Sequence, residues 1–358
     1  MSSQIAVPES LCILRLSAIG DVCHAVAMVQ QIQHHYPKIK ITWVIGKVEA
    51  MLLDGLPGVE LVIFDKKAGF KGYQTLWQQL RGRNFDVLFH MQVALRASLA
   101  SLCIPAKIKV GFDRARAKEG QWLFTNKKIV AQKNPHVLDG FMGFAQSLGL
   151  TIEKPTWNMP ISDQEQLWAS ERLITEKPIA VISPAASKAE RNWHSEGYAA
   201  IADHLSERGF LVVICGGPTT MEKLLAEEII HLAKQPLTNL VGETNLKQLL
   251  AVLKVAHLVI APDTGPAHMA VTVNTPVIGL YAHSNPHRTG PYNYQHYVVS
   301  GYKHNIEQQY KKPLAKLPWG IRAKGSNLMN AITLSQVKNK VRQLIADNYP
   351  ELRGIDDL

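Results

Sequence analysis

The sequence predicts an α/β protein built from two Rossmann-like, doubly wound domains, and three observations predict it. Short apolar runs alternate with helical spacing along most of the chain, the pattern of parallel strands with helices between them. Three of those runs end in a polar turn that leads straight into a helix: Ser17-Ala18-Ile19-Gly20-Asp21, the loop from Ser183 to Trp193, and Pro262-Asp263-Thr264-Gly265-Pro266. Midway, Thr151 to Pro160 is a proline-punctuated connection without periodicity. It divides the chain into a first domain over 1–155, a second over 156–334, and a closing helical segment over 335–358 expected to pack back on the first domain.

In the first domain Leu11 to Leu16, Ile41 to Ile45, Leu61 to Phe64 and Val87 to Phe89 read as strands. After the first of them Val22, Val26, Val29 and Ile32 recur at helical spacing. In the second domain the strands are Ile179 to Ser183, Phe210 to Cys215, Leu258 to Ala261 and Val277 to Tyr281, and a helix entered near Ser195 closes at Gly209. Sheets of this kind bind ligands at the carboxyl ends of their strands, where the chain order switches, and all three turns lie at such ends. The two domains are therefore expected to face one another across a cleft.

With 358 residues the chain is long enough for two cores, and its 46% hydrophobic and 19% charged content is ordinary for a globular protein. No apolar stretch reaches the ~20 residues of a transmembrane helix. The leader Met1 to Ser10 lacks the basic start and apolar stretch of a secretory signal, so a cytoplasmic location is expected. Cys12, Cys23, Cys103 and Cys215 are scattered without metal-ligand or redox spacing and read as reduced core residues. The 39 basic against 29 acidic residues give a net charge of +10, which favours a polyanionic partner. No zinc-finger spacing or RNA-binding aromatic signature accompanies that charge, so nucleic acid is not expected; an anionic lipid surface or a phosphorylated glycolipid fits it.

The turn at Asp263 to Pro266 has the makings of an anion site. Asp263 and Thr264 are N-cap residues, and Pro266 suits a first helical turn. The free N–H groups and the positive end of the helix dipole would hold a phosphate or pyrophosphate, and Gly265 lets it approach the backbone. Lys188 and Arg191 add positive charge from the second loop, and Asp21 supplies a carboxylate whose ionised form a helix N-terminus favours.

Together, Gly20-Asp21-Val22, the Ser183-Pro184 loop ending in Arg191-Asn192-Trp193, Cys215-Gly216-Gly217-Pro218 and Asp263-Thr264-Gly265-Pro266-Ala267-His268 resemble the bacterial ADP-heptose:lipopolysaccharide heptosyltransferase family of glycosyltransferases. The resemblance runs from about Cys12 to about Tyr292. It implies the GT-B architecture, with the donor nucleotide on the second domain and the acceptor on the first. It also implies an inverting transfer of heptose from ADP-heptose to a Kdo or heptose acceptor of the lipopolysaccharide inner core, at the cytoplasmic face of the inner membrane and without a metal or other cofactor.

Residue by residue, the resemblance makes Asp21 the general base and places the diphosphate against Ser187, Lys188, Arg191, Thr264, Gly265 and His268; His24, one helical turn from Asp21, is a weaker alternative base by position alone. Arg191 stands where a lysine is often seen, which keeps the charge and alters the contact. Asp263 is expected to organise its turn or contact the donor sugar. Thr219 and Thr220 follow Pro218 where the family commonly has an acid, which puts nucleotide contact by Glu222 in doubt. For an acidic acceptor the candidates are Lys66, Lys67 and Lys71 in one loop, and Arg96, Arg114 and Arg116 later in the same domain, followed by Lys118. Two alternatives share the architecture or the charge: an isomerase resembling the nucleotide-sugar 2-epimerases, and a non-catalytic nucleotide-sugar binder.

Overall fold

The computed structural model describes Ile5 and residues 7–355, of which 353–355 by backbone alone; residues 1–4 and 6 of the leader lie outside the described residues. The chain divides into two units, Met1–Pro160 and Ile161–Leu358. The first contains β1 (Ser10–Leu14), β2 (Lys40–Gly46), β3 (Val59–Phe64), β4 (Phe85–His90), β5 (Ala106–Gly111) and β6 (Lys127–Lys128), all parallel, in the order β3-β2-β1-β4-β5-β6. The second contains β7 (Ile179–Ile182), β8 (Leu211–Ile214), β9 (Thr238–Asn239), β10 (Leu258–Pro262), β11 (Val277–Tyr281) and β12 (Val299–Ser300), in the order β12-β11-β10-β7-β8-β9. Counted from its own first strand, each sheet has the Rossmann order 3-2-1-4-5-6. The switch points fall between β1 and β4 in one unit and between β7 and β10 in the other.

Register sets the height of the loops at those points. Leu14 pairs with His90 and Ile182 with Ile260, so the chains leaving neighbouring strands emerge side by side. The central strands are buried on both faces, as parallel sheets covered by helices require: Leu11, Cys12, Ile13 and Leu14 are all fully buried.

The helix Ile19–His35 begins on Ala18 as its cap residue, which places Asp21 at the third helical position, where its carboxylate accepts the Ala18 N–H at 3.2 Å. In the second unit the helix Ser195–Ser206 is closed by Gly209, whose φ of 81° is a conformation that favours glycine. Trp193, at the end of the Arg191-Asn192-Trp193 motif, is 1% exposed and donates its indole N–H to the Ile332 carbonyl at 3.1 Å. That tryptophan anchors the loop to the core.

The closing helix Leu334–Asn348 departs from expectation. It starts on a Thr333 capping box with Gln336, and its apolar stripe of Val337, Val341, Leu344 and Ile345 is buried in the core of the second unit. The face expected to return to the first domain is thus taken up by the second. Four strands also escaped the sequence reading. In β5 lysines alternate with Ala106, Ile108 and Val110, while β6, β9 and β12 are only two residues long and too short for any period to show.

Candidate active site

At the first switch point, the residue that follows β1 is Arg15. One arm of its guanidinium pairs with the Asp21 carboxylate, the other donates to the Met91 carbonyl at 2.6 Å beyond β4, and the group lies 5.2 Å from the centre of the Phe141 ring. Its side chain is 12% exposed against 30% for Asp21, so the arginine is a buried support and the carboxylate reaches solvent. Gln92 fixes the same turn by accepting the Leu16 and Ser17 N–H groups at 2.7 and 3.3 Å. His24, the alternative base, is 3% exposed with its ring edge-on to His136 at 5.2 Å.

Glu49 lies close by, 5% exposed, with Oε2 lacking a hydrogen-bond partner among the described residues. Burial pushes its carboxyl up, against its own backbone hydrogen bond and the charges of Lys66 and Arg15. The same carboxylate thus feels Lys66 and Arg15 together, which brings the loop after β3 to the electrostatic neighbourhood of the Asp21 turn. Neither Arg15 nor Glu49 was singled out in the sequence. Arg15 stands alone at the end of an apolar run, which is the one local sign it offers.

At the second switch point the loops after β7, β10 and β11 are tied through Asp263. Its backbone carbonyl accepts Arg191 Nη1 at 3.1 Å, and its carboxylate lies 3.7 Å from the same guanidinium. The carboxylate also lies 3.7 Å from His268 Nε2 and accepts the Ser284 hydroxyl. Burial alone would raise the Asp263 carboxyl, but His268, the Ser284 hydroxyl and the Arg191 charge outweigh it and hold its pKa at about 2. Asp263 is therefore an ionised hub that organises its turn.

Around that hub, polar atoms face inward without partners. Arg191 Nε and Thr264 Oγ1 are buried and have no hydrogen-bond partner among the described residues, and neither have both ring nitrogens of His283, two residues beyond β11. Thr264 caps the helix Gly265–Thr272 by backbone geometry, with Pro266 in its first turn and His268 on it, 7% exposed. Ser187 and Lys188 are exposed on the β7 loop, and Lys188 lies 3.8 Å from Glu190. Buried groups of this kind are as a rule satisfied, so several together at the strand ends make this the candidate site for a polar ligand. His283 is the residue here that sequence reasoning missed.

Glu222 is occupied in its own turn: Oε1 accepts the Gly217 N–H at 3.0 Å and Oε2 the Thr219 hydroxyl at 2.6 Å. The acceptor candidates divide into two sorts. Lys66, Lys67, Lys71 and Arg96 are exposed, and Arg114 is exposed with its guanidinium 3.5 Å over the Trp122 ring. Arg116 is 22% exposed and committed internally, to Asp113 and, at 2.8 Å, to Gln132. Among the described residues, no group of three or more His, Cys, Asp or Glu is placed to hold a metal ion, and no helix is long and apolar enough to cross a membrane.

Comparison with known proteins gives three findings. A family model, glycosyltransferase family 9 (heptosyltransferase), matches residues 73–317. The lipopolysaccharide core heptosyltransferase OpsX of Haemophilus influenzae is 47% identical over 337 residues, which cover 94% of this chain and 97% of that protein. Among solved structures, a family 9 glycosyl transferase from Veillonella parvula has a TM-score of 0.79 at 20% identity, over 97% of this chain and 99% of its own. The Escherichia coli heptosyltransferase WaaC with ADP has a TM-score of 0.70 at 20% identity, over 94% and 99%. These likenesses show the fold, the GT-B class of two Rossmann-like domains.

Proposed function

The chain belongs to glycosyltransferase family 9, the heptosyltransferases, and from that premise we propose an inverting transfer of heptose from ADP-heptose to a Kdo or heptose residue of the lipopolysaccharide inner core. The protein is a glycosyltransferase, and heptose transfer in lipopolysaccharide core assembly is its function, by its 47% identity to a core heptosyltransferase over nearly the whole of both chains. The isomerase and pure-binder alternatives are not favoured, since these relatives are transferases along the full length.

The observation that carries the donor assignment is the convergence of the buried, unpartnered Arg191 Nε and Thr264 Oγ1 at the β7/β10 switch point. A nucleoside diphosphate supplies the acceptors these donors lack, beside Lys188, Ser187, the Gly265 end of its helix and His268. In the reaction, the Asp21 carboxylate takes the proton from the attacking acceptor hydroxyl. That oxygen forms the new bond to the anomeric carbon, and the bond from this carbon to the phosphate oxygen breaks with both electrons leaving on ADP. Arg191 and Lys188 stabilise the charge that develops there, so the scheme needs no metal.

Lys66, Lys67, Lys71, Arg96 and Arg114 are exposed cations suited to the carboxylates and phosphates of an anionic glycolipid, whereas Arg116 acts through the fold. The net charge of +10 supports peripheral association with the cytoplasmic face of the inner membrane. The test is a turnover screen of nucleotide sugars against a truncated core glycolipid, reading released nucleotide and product mass together. ADP-heptose should give a product heavier by one heptose, and Asp21→Asn should give none while still binding ADP within a few fold. Turnover with a different nucleotide sugar alone, or full activity in Asp21→Asn, would overturn the donor or the base respectively.

A further inference from the structure

We propose that His283 is a diphosphate contact of the donor site: its ring donates an N–H to a phosphate oxygen and takes up a proton as the nucleotide binds. The inference rests on the donor reading above and adds to it a residue and a pH linkage.

His283 lies on the third strand-end loop of the second sheet, after β11, where Ser284 hydrogen-bonds Asp263 and the Ala323 N–H donates to the His283 carbonyl at 2.9 Å. The backbone is therefore fixed on both sides. The ring is 5% exposed, and neither nitrogen has a hydrogen-bond partner among the described residues. A histidine buried for packing uses at least one ring nitrogen in a hydrogen bond, so a ring using neither awaits a partner from outside the chain.

The charges around the ring identify that partner as an anion. Arg191, Arg322 and Lys188 act on it as cations, opposed by Glu190. The other carboxylate nearby, Asp263, is already engaged by His268, Ser284 and Arg191. Burial, with Arg191 and Arg322 next, pushes the His283 pKa down, so the ring is neutral when the site holds no anion. A diphosphate brings two negative charges among the same cations and reverses the balance. The pKa rises on binding, and a proton from solvent completes a second N–H. By linkage, nucleotide affinity then increases as pH falls through the histidine range.

The probe is ADP-ribose, whose diphosphate diester keeps its charge between about pH 6 and 8, where histidine titrates. Calorimetric titration of the full chain in two buffers of different ionisation enthalpy counts protons directly. The wild type should take up part of a proton and bind up to about tenfold more tightly at the lower pH. His283→Gln retains an N–H but cannot be protonated; it should lose the uptake and the pH slope while its affinity at the higher pH stays within about threefold. No uptake in the wild type, a result that needs no variant, would overturn the proposal. So would uptake that survives in His283→Gln, which places the proton on another group such as His268. Arg191→Ala separates the two readings: weakened ADP-ribose binding there, with an unchanged proton count in His283→Gln, removes His283 alone. Unweakened binding in Arg191→Ala removes the donor site itself.

Discussion

Arg15 and Asp21 hold one another across the turn that joins β1 to its helix, and Arg15 reaches on to the Met91 carbonyl at 2.6 Å. The carboxylate assigned as base is therefore braced by a guanidinium that is itself fixed to the loop of the neighbouring strand. Arg15→Ala should lower kcat about ten- to a hundredfold, since a base displaced by an ångström loses its alignment with the acceptor hydroxyl. Arg15→Lys should recover only part, because an ammonium lacks the planar fork that spans both partners. The donor KM should hardly move in either variant, as the groups proposed to hold the diphosphate lie in the second unit. Steady-state kinetics of both variants check this, and unchanged kcat in Arg15→Ala would detach the pair from the chemistry.

Arg191 and Lys188 should differ in weight. Arg191 is 16% exposed and anchored on Asp263, whereas Lys188 is 49% exposed and lies 3.8 Å from Glu190. A pre-positioned, desolvated charge contributes more than a mobile one. Arg191→Ala should weaken ADP binding by about ten- to a hundredfold, the loss of roughly 1.5 to 3 kcal/mol for a charge-assisted contact. Lys188→Ala should weaken it less. Titration of both variants with ADP checks the order, and an affinity unchanged from the wild type in both would place the diphosphate elsewhere.

What the sequence made legible were features with a local signature. Apolar runs gave the central strands of both sheets, and cap residues with a proline in the first turn gave the Asp263 to Pro266 turn. Asp21 is legible as a carboxylate at a strand-to-helix turn, while its proposed role as base comes from the family resemblance. His283 is not legible in this way, since Lys188, Arg191 and Arg322, the charges that give it meaning, lie far away in the chain and meet it only in the fold. Arg116 reads as surface charge in the sequence because a basic residue three positions from an acid says nothing of burial, and its second partner, Gln132, is 16 residues on. The closing helix showed its apolar stripe, but a stripe does not say which core it enters.

Acid should weaken the first unit through His90. The ring is fully buried at the end of β4, between Ser98 Oγ at 3.2 Å and Gln121 Nε2 at 3.3 Å. Burial, with the charge of Lys109 adding to it, lowers its pKa from 6.5 to about 4. A lowered histidine pKa means that the unfolded chain binds the proton first. The stabilisation is complete above 6.5 and is lost as pH falls from there towards 4. Over that window the loss is on the order of 3 kcal/mol. Denaturant titrations at about pH 7 and 5 should show a smaller decline in His90→Gln than in the wild type, since glutamine takes up no proton. Equal declines would assign the acid sensitivity to other groups.

The acceptor assignment makes the remaining prediction. Lys66, Lys67 and Lys71 are exposed on the loop after β3, in the first unit, and Lys66 acts on the Glu49 carboxylate that Arg15 also faces. The groups proposed for the donor, at Ser187 to Arg191 and Thr264 to His268, belong to the second unit. Replacing the three lysines together by alanine should therefore raise the KM for a phosphorylated glycolipid and leave ADP affinity nearly unchanged. Salt should reproduce part of the effect in the wild type, because exposed charges interact only over about 8 to 10 Å at moderate ionic strength. The triple variant should also be less sensitive to salt than the wild type, having fewer charges left to screen. Loss of ADP binding with the acceptor KM intact would instead exchange the roles of the two units.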